Sequence, residues 1–156
     1  MSKSLNRVKA ALGAAGVESQ VLEMGAETRT AAQAAEAVGC AIDQIAKSIV
    51  FRDEASGTAV LFLTAGGNQV NAAKATALVG APLGKADADL IRAQTGFAIG
   101  GVAPLGHLSP IRAFFDPRLA DFALIWAAAG TPRHVFAIAP ATLLAITGAQ
   151  IADFTG

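Results

Sequence analysis

TGFAIGGVAPLGH, residues 95–107, is the stretch from which the fold and the site of this chain are best inferred. It places four glycines and one proline around a short apolar segment. Glycine has no Cβ and reaches positive φ, so Gly100, Gly101 and Gly106 can present main-chain N–H groups where other side chains would block access. Pro104 stiffens the path between them. The stretch therefore predicts a loop whose main chain contacts a polar ligand.

Helices are predicted on both sides of this glycine-rich loop. The clearest covers residues 31–38, because Thr30 and Gln33 have the spacing of a capping box and Gly39 follows. The others are a helix with Leu5, Val8 and Leu12 on one face, helices over 71–79 and 87–95, and one that starts at Pro140 and ends near Gly148.

Strands are predicted between these helices. Apolar runs at 47–52 and 58–64 are separated by DEASG and indicate a hairpin. Further strands are expected at 21–24, 97–99, 111–115, 122–127, 134–138 and 150–154. The chain of 156 residues is thus expected to be one α/β domain, residues 1–156, with a mixed, strongly curved, barrel-like sheet surrounded by helices.

Charge and composition narrow the function classes. The 12 basic and 12 acidic residues balance, and Lys and Arg form no run, which argues against non-specific nucleic-acid binding through a basic surface. No secretory signal or uninterrupted membrane-spanning stretch is expected, and one cysteine, Cys40, fits a reducing compartment. We expect a cytoplasmic protein with no membrane partner.

Lys47 is the charged residue that stands out, because it opens a strand in which Ile49, Val50 and Phe51 are apolar on both faces. Two interpretations remain open from the sequence. The lysine either extends to solvent from a strand end, which is the commoner case, or faces a pocket, where its ammonium would bind phosphate or polarise a carbonyl.

The remaining reactive side chains predict neither a metal site nor a covalent mechanism. His107, His134 and Cys40 are too few soft ligands for structural zinc, and we expect no metal and no cofactor. His107 either orients substrate or pins the glycine-rich loop, and His134 is expected to be structural. No Gly-x-Ser-x-Gly elbow, Walker loop or dinucleotide fingerprint is present.

Four segments together resemble the YbaK/EbsC family, the free-standing relatives of the bacterial prolyl-tRNA synthetase editing domain. They are residues 28–32, the IAKSIVF segment at 45–51, TGFAIGGVAPLGH, and AAGTPRHVFAI at 128–138. Their order and spacing carry the resemblance, in particular a lysine that opens a strand and a G-x-x-x-P loop some fifty residues later. The resemblance implies the compact editing-domain fold.

The resemblance also implies an aminoacyl-tRNA deacylase that acts in trans on the acceptor 3′ end of a mischarged tRNA carrying alanine, serine, threonine or cysteine. It assigns catalysis to Lys47, Gly100 and Gly101. The residues that it implies for substrate binding are Thr30, Ser48, Pro104, Gly106, His107, Gly130 and Thr131. Relatives of this kind are thought to use water and a ribose hydroxyl in place of a protein nucleophile.

A second hypothesis remains open at this stage. The same cleft would suit a non-catalytic module that binds an aminoacyl-tRNA or a synthetase. With no net charge, tRNA binding would depend on a synthetase partner or on local contacts, for which Arg29, Lys74, Arg112 and Arg133 are the candidates. The sequence does not choose the amino acid, the tRNA or the oligomeric state.

Overall fold

Five α-helices and eight β-strands are found in the computed structural model, which describes residues 2–156. The helices are α1 (Lys3–Ala14), α2 (Ala31–Val38), α3 (Ala72–Val79), α4 (Ala88–Thr95) and α5 (Pro140–Thr147). The strands are β1 (Val21–Glu23), β2 (Ala46–Asp53), β3 (Ala59–Ala65), β4 (Leu83–Lys85), β5 (Arg112–Phe115), β6 (Ile125–Ala128), β7 (His134–Ile138) and β8 (Gln150–Ile151). Short 3-10 helices cover Ile42–Gln44 and Pro117–Asp121.

The strands form two sheets. One has five strands in the order β4-β2-β3-β5-β8, and the other has three in the order β1-β7-β6. β2 and β3 form the expected antiparallel hairpin, whereas β3 and β5 run parallel, so the mixed α/β architecture is confirmed. The expected barrel-like closure is not found in residues 2–156, because only an isolated bridge between Ile45 and Trp126 connects the sheets.

Local capping determines where the helices begin and end. The Thr30 side chain accepts a hydrogen bond from the N–H of Gln33, and the Gln33 side chain accepts one from the N–H of Thr30, which confirms the capping box of α2. Gly39 ends this helix at φ 75°, a left-handed conformation that glycine adopts without steric cost. The cap fixes the start of α2, which forms one wall of the cavity described below.

β3 separates two hydrophobic clusters because its side chains alternate between its faces. Leu61 and Leu63 point into the larger cluster, which also contains Phe136 of β7. Phe62 points to the other face, where its ring stacks on Phe114 at a centroid distance of 5.2 Å. Both faces of this central strand are therefore buried, and it provides a rigid base for β2.

Several predicted strands differ from those observed. Residues 97–99 form no strand, because Phe97 is fully buried against α1 with the Arg7 guanidinium 4.7 Å from its ring centre. The strand expected at 122–127 begins only at Ile125, after the 3-10 helix, and the strand expected at 150–154 has two residues. β4 was not predicted, since a strand of three residues is too short to show a recognisable alternation of apolar and polar side chains.

Candidate active site

A cavity of about 580 Å³ lies where the two sheets meet. Its walls come from α2, the first half of β2, β6 and the glycine-rich loop. Four of the residues implied for catalysis or substrate binding line it, namely Thr30, Lys47, Ser48 and Gly100. Lys47 and the glycine-rich loop are therefore brought together across some fifty residues of chain, as expected.

Lys47 lies at the start of β2, where its Nζ donates a hydrogen bond of 3.2 Å to the carbonyl oxygen of Gly66. Partial burial lowers the pKa of Lys47, and the negative charges of Asp116 and Asp43 act in the opposite direction. A lysine in this position keeps its ammonium at the cavity wall rather than extended into solvent. Of the two interpretations of this residue, the structure favours the one in which it faces a pocket.

The turn that receives Lys47 is held by two carboxylates that sequence reasoning did not assign to the site. Asp116 is buried, and it accepts hydrogen bonds from the N–H of Ala65 and the side-chain amide of Asn68, both at 3.0 Å. Asp43 accepts a hydrogen bond of 2.8 Å from the N–H of Gly67. The Asp116-Pro117 dipeptide was recognisable as a turn, but its contact with residues some fifty positions earlier gave no local signal.

The glycine-rich loop meets the cavity through a tight turn at residues 98–101. The N–H of Gly101 donates to the carbonyl of Ala98 at 3.1 Å, and Gly100 has φ 89° at the third position, where a type II turn requires positive φ. The carbonyl of Ile99 accepts a hydrogen bond from Arg29. Since a trans peptide directs its C=O and N–H oppositely, the N–H of Gly100 points away from Arg29.

Gly101 has a packing role in this structure. A Cβ at this position would lie 2.8 Å from the carbonyl carbon of Thr131, so only glycine permits the close approach of the two loops. Gly101 does not line the cavity, and its N–H is already bonded to Ala98. Of the two glycines expected in catalysis, Gly100 alone borders the cavity.

Three residues expected to bind substrate lie elsewhere. Pro104, Gly106 and His107 line a second cleft, of about 450 Å³, and not the first cavity. The Nε2 of His107 donates to the carbonyl oxygen of Ala103 at 2.8 Å, and burial lowers the pKa of the imidazole. These contacts are those of a histidine that pins the loop.

Gly130 and Thr131 also lie outside the first cavity. A Cβ on Gly130 would approach the carbonyl oxygen of Ser4 to 2.8 Å, so this glycine allows α1 to pack closely. The hydroxyl of Thr131 is hydrogen bonded to Nδ1 of His134 at 2.5 Å. The interaction matches the structural role expected for His134.

The cations considered for tRNA contacts are mostly engaged within the chain. Lys74 forms a salt bridge of 3.0 Å with Asp153, and the Arg112 guanidinium donates to two main-chain carbonyls. Arg133 donates to a main-chain carbonyl at 3.5 Å. Arg29, which pairs with Glu27, is the one of the four that lines the cavity. The cavity wall thus carries two cations, Arg29 and Lys47, and no carboxylate.

None of the helices in residues 2–156 has both the length and the apolar character needed to cross a bilayer. The same residues hold no group of three or more His, Cys, Asp or Glu side chains placed to bind a metal ion.

Comparison with known proteins identifies the class to which this fold and cavity belong. A model of the aminoacyl-tRNA editing domain matches residues 25–146. A crystal structure described as "a putative trans-editing enzyme for prolyl tRNA synthetase" is 48% identical, with a TM-score of 0.93, covering 100% of this chain and 99% of its own. The crystal structure of hypothetical protein APE2540 is 27% identical with a TM-score of 0.88, covering 96% of this chain and 99% of its own.

A curated relative, the uncharacterized protein YwhH of Bacillus subtilis (strain 168), is 29% identical over 126 residues, which are 81% of this chain and 80% of the relative. The chain belongs to the aminoacyl-tRNA editing domain family, and its fold is that of the YbaK and prolyl-tRNA synthetase editing domains. The family supports a deacylase role for the protein.

Proposed function

We propose that this protein is a trans-acting aminoacyl-tRNA deacylase that removes a small, wrongly attached amino acid from the tRNA 3′ end. The observation that carries the proposal is the shared cavity of Lys47 and Gly100 in a chain of the editing family. Hydrolytic editing is needed because a binding pocket distinguishes amino acids that differ by one methylene by only about 10- to 200-fold.

The chemistry requires a water molecule and stabilisation of charge. Water adds to the ester carbonyl carbon, the bond to the ribose oxygen breaks, and the proton from water passes to that oxygen, releasing the free amino acid and an intact tRNA 3′ hydroxyl. The N–H of Gly100 is the candidate donor to the developing oxyanion, a contact typically worth about 3 kcal/mol. The ammonium of Lys47 would neutralise charge on the carbonyl or on the terminal adenosine phosphate.

The walls of the cavity support a small amino acid. The lining side chains are mainly apolar, and six of them are alanine, including Ala31 and Ala34 of α2 and Ala127 and Ala128 of β6. A cavity of about 580 Å³ exceeds the volume of such an amino acid, and the remaining space suits the ribose to which it is attached. The apolar walls select by size, and the cations at Arg29 and Lys47 suit the phosphate end of the substrate.

A panel of mischarged tRNAs tests the proposal. Purified protein is incubated with tRNA carrying alanine, serine, threonine or cysteine, and with correctly charged tRNA, and ester loss is followed against the spontaneous rate. We expect accelerated hydrolysis of at least one mischarged tRNA and none of the correct one. An unchanged or lengthened ester lifetime for every member would overturn the proposal and favour the binding module.

A further inference from the structure

The cavity lies in a wedge-shaped gap between the edges of β2 and β6, which no other strand of residues 2–156 fills. β2 and β6 are joined only by the parallel bridge between Ile45 and Trp126. On the same edge of β2, β4 pairs only with residues 51–53. Residues 47–50 of β2 therefore have no neighbouring strand on this side within the part of the chain that is described.

Hydrogen bonds of β3 show which residues of β2 face this open edge. The carbonyl of Leu63 accepts a hydrogen bond from the N–H of Asp116, and the N–H of Ala65 donates one to the Asp116 carboxylate. Leu63 and Ala65 therefore direct their main-chain groups away from β2. Ser48 lies opposite Leu63 in the antiparallel register. In an antiparallel pair, two residues that lie opposite each other either exchange main-chain hydrogen bonds or both direct their N–H and C=O groups away from the partner strand. The C=O and N–H of Ser48 consequently point into the wedge.

The facing edge of β6 is open in the same way. The N–H of Ala129 donates to the carbonyl of His134 at 2.9 Å, which places Ala129 on the side of β7. Because successive residues alternate, Ala128 directs its main-chain groups toward β2. Ala128 and Ser48 both line the cavity, and within residues 2–156 no β-bridge joins either of them to the facing strand.

Ser48 also carries an unpartnered side chain. Its Oγ is the one buried side-chain nitrogen or oxygen in residues 2–156 without a hydrogen-bond partner. Buried polar groups are nearly always paired, so an orphaned hydroxyl beside an open strand edge indicates a place that a ligand completes. The wedge thus offers three hydrogen-bond acceptors to a ligand. They are the carbonyl oxygens of Ser48 and Ala128 and, after rotation about χ1, the hydroxyl oxygen of Ser48.

We propose that this wedge binds the α-ammonium group of the aminoacyl substrate, which donates to the carbonyls of Ser48 and Ala128 and to the Ser48 hydroxyl. The inference rests on the proposed deacylase function. No carboxylate lines the cavity, so an ammonium must be received by neutral acceptors, and its three N–H donors match the three oxygens. The alternation of β2 keeps the ammonium of Lys47 on the opposite face of the strand.

Replacing the ammonium by a hydroxyl tests the inference. The mischarged tRNA that the protein hydrolyses fastest is compared with its α-hydroxy counterpart, alanyl with lactyl or seryl with glyceryl, each relative to its own spontaneous rate. We expect the acceleration to be at least tenfold smaller for the α-hydroxy ester. Equal acceleration of the two esters would overturn the inference while leaving the proposed deacylase function intact.

Variants of Ser48 separate ammonium binding from a merely structural role. Ser48→Ala should reduce the acceleration of the amino ester severalfold and leave that of the α-hydroxy ester unchanged, and Ser48→Thr should restore most of the difference. Lys47 acts on the ester carbonyl or the phosphate, which both esters share, so Lys47→Ala should reduce both rates by the same factor. A Ser48→Ala variant that slows both esters equally would contradict the inference, and the wild-type comparison stands if that variant does not fold. Hydrolysis of neither ester would instead refute the proposed function.

Discussion

Lys47 and Gly66 are joined by a hydrogen bond of 3.2 Å between the lysine Nζ and the glycine carbonyl oxygen. Gly66 belongs to the turn that Asp116 and Asp43 hold through the amides of Ala65 and Gly67. Within residues 2–156 neither carboxylate forms a salt bridge with Lys47. The position of the ammonium is therefore set by the turn, while the carboxylates act on its charge from a distance.

The first prediction concerns pH. Burial lowers the pKa of Lys47, so its ammonium loses its proton at a lower pH than a free lysine, and deacylation should fall on the alkaline side once spontaneous hydrolysis is subtracted. Asp43→Asn removes one of the two charges that raise this pKa, and the alkaline fall should move to lower pH. The pH profile of kcat/KM measures both effects. An unmoved profile, or one displaced to higher pH, would contradict the electrostatic account of Lys47.

The second prediction concerns Gly100. Gly100→Ala places a methyl group 2.9 Å from Nη1 of Arg29 and forces φ 89° on an L-residue, so deacylation should fall at least tenfold. Gly80→Ala is the matched control, because Gly80 has φ 81° but no atom within 4 Å of its Cβ position. Each variant should lose about 1 kcal/mol of stability from backbone strain. Equal activities of the two variants would remove Gly100 from the site.

The third prediction concerns the buried carboxylate. Asp116→Ala leaves the N–H of Ala65 and the amide of Asn68 without their acceptor, and the free energy of unfolding should fall by about 2–4 kcal/mol. Asp121→Ala, which removes an exposed partner of Arg118, should cost less than about 1 kcal/mol. Urea unfolding measures both variants. A similar small loss for each would show that Asp116 does not hold the turn.

The fourth prediction separates the two roles considered for His107. Since His107 lies outside the first cavity and pins its own loop, His107→Gln should lower the unfolding free energy and change kcat/KM less than twofold. Burial lowers the pKa of this imidazole, so the unfolded chain takes up its proton first and wild-type stability should decline as the pH falls below about 6.5. The unfolding free energy of the His107→Gln variant should decline less over the same pH range. A large loss of kcat/KM in the folded variant would assign His107 to the substrate.

Local patterns predicted much of this fold because their causes are local. The capping box of Thr30 and Gln33 and the hairpin of β2 and β3 depend on neighbouring residues, and both are confirmed. Residues 97–99 are apolar because Phe97 fills the core, and not because they form a strand, a distinction that requires knowledge of its distant contacts. Tertiary contacts override local preference at such positions.

The candidate site was predictable only at residues that belong to a recognisable sequence motif. Lys47 and Gly100 were expected to share a cavity, and they do. His107 ends the same loop, yet it lines another cleft together with Pro104 and Gly106. The open edges at Ser48 and Ala128 follow from strand pairing between distant segments, for which a single sequence holds no signal.

The most direct test of the account is single-turnover deacylation of the preferred mischarged tRNA by the wild-type protein, Lys47→Ala and Lys74→Ala. Lys74 is a lysine paired with Asp153 away from the cavity, and it controls for the loss of a positive charge. We expect wild-type rates from Lys74→Ala and a loss of at least a hundredfold from Lys47→Ala. A Lys47→Ala variant that removes the amino acid as fast as the wild-type protein would contradict the central claim.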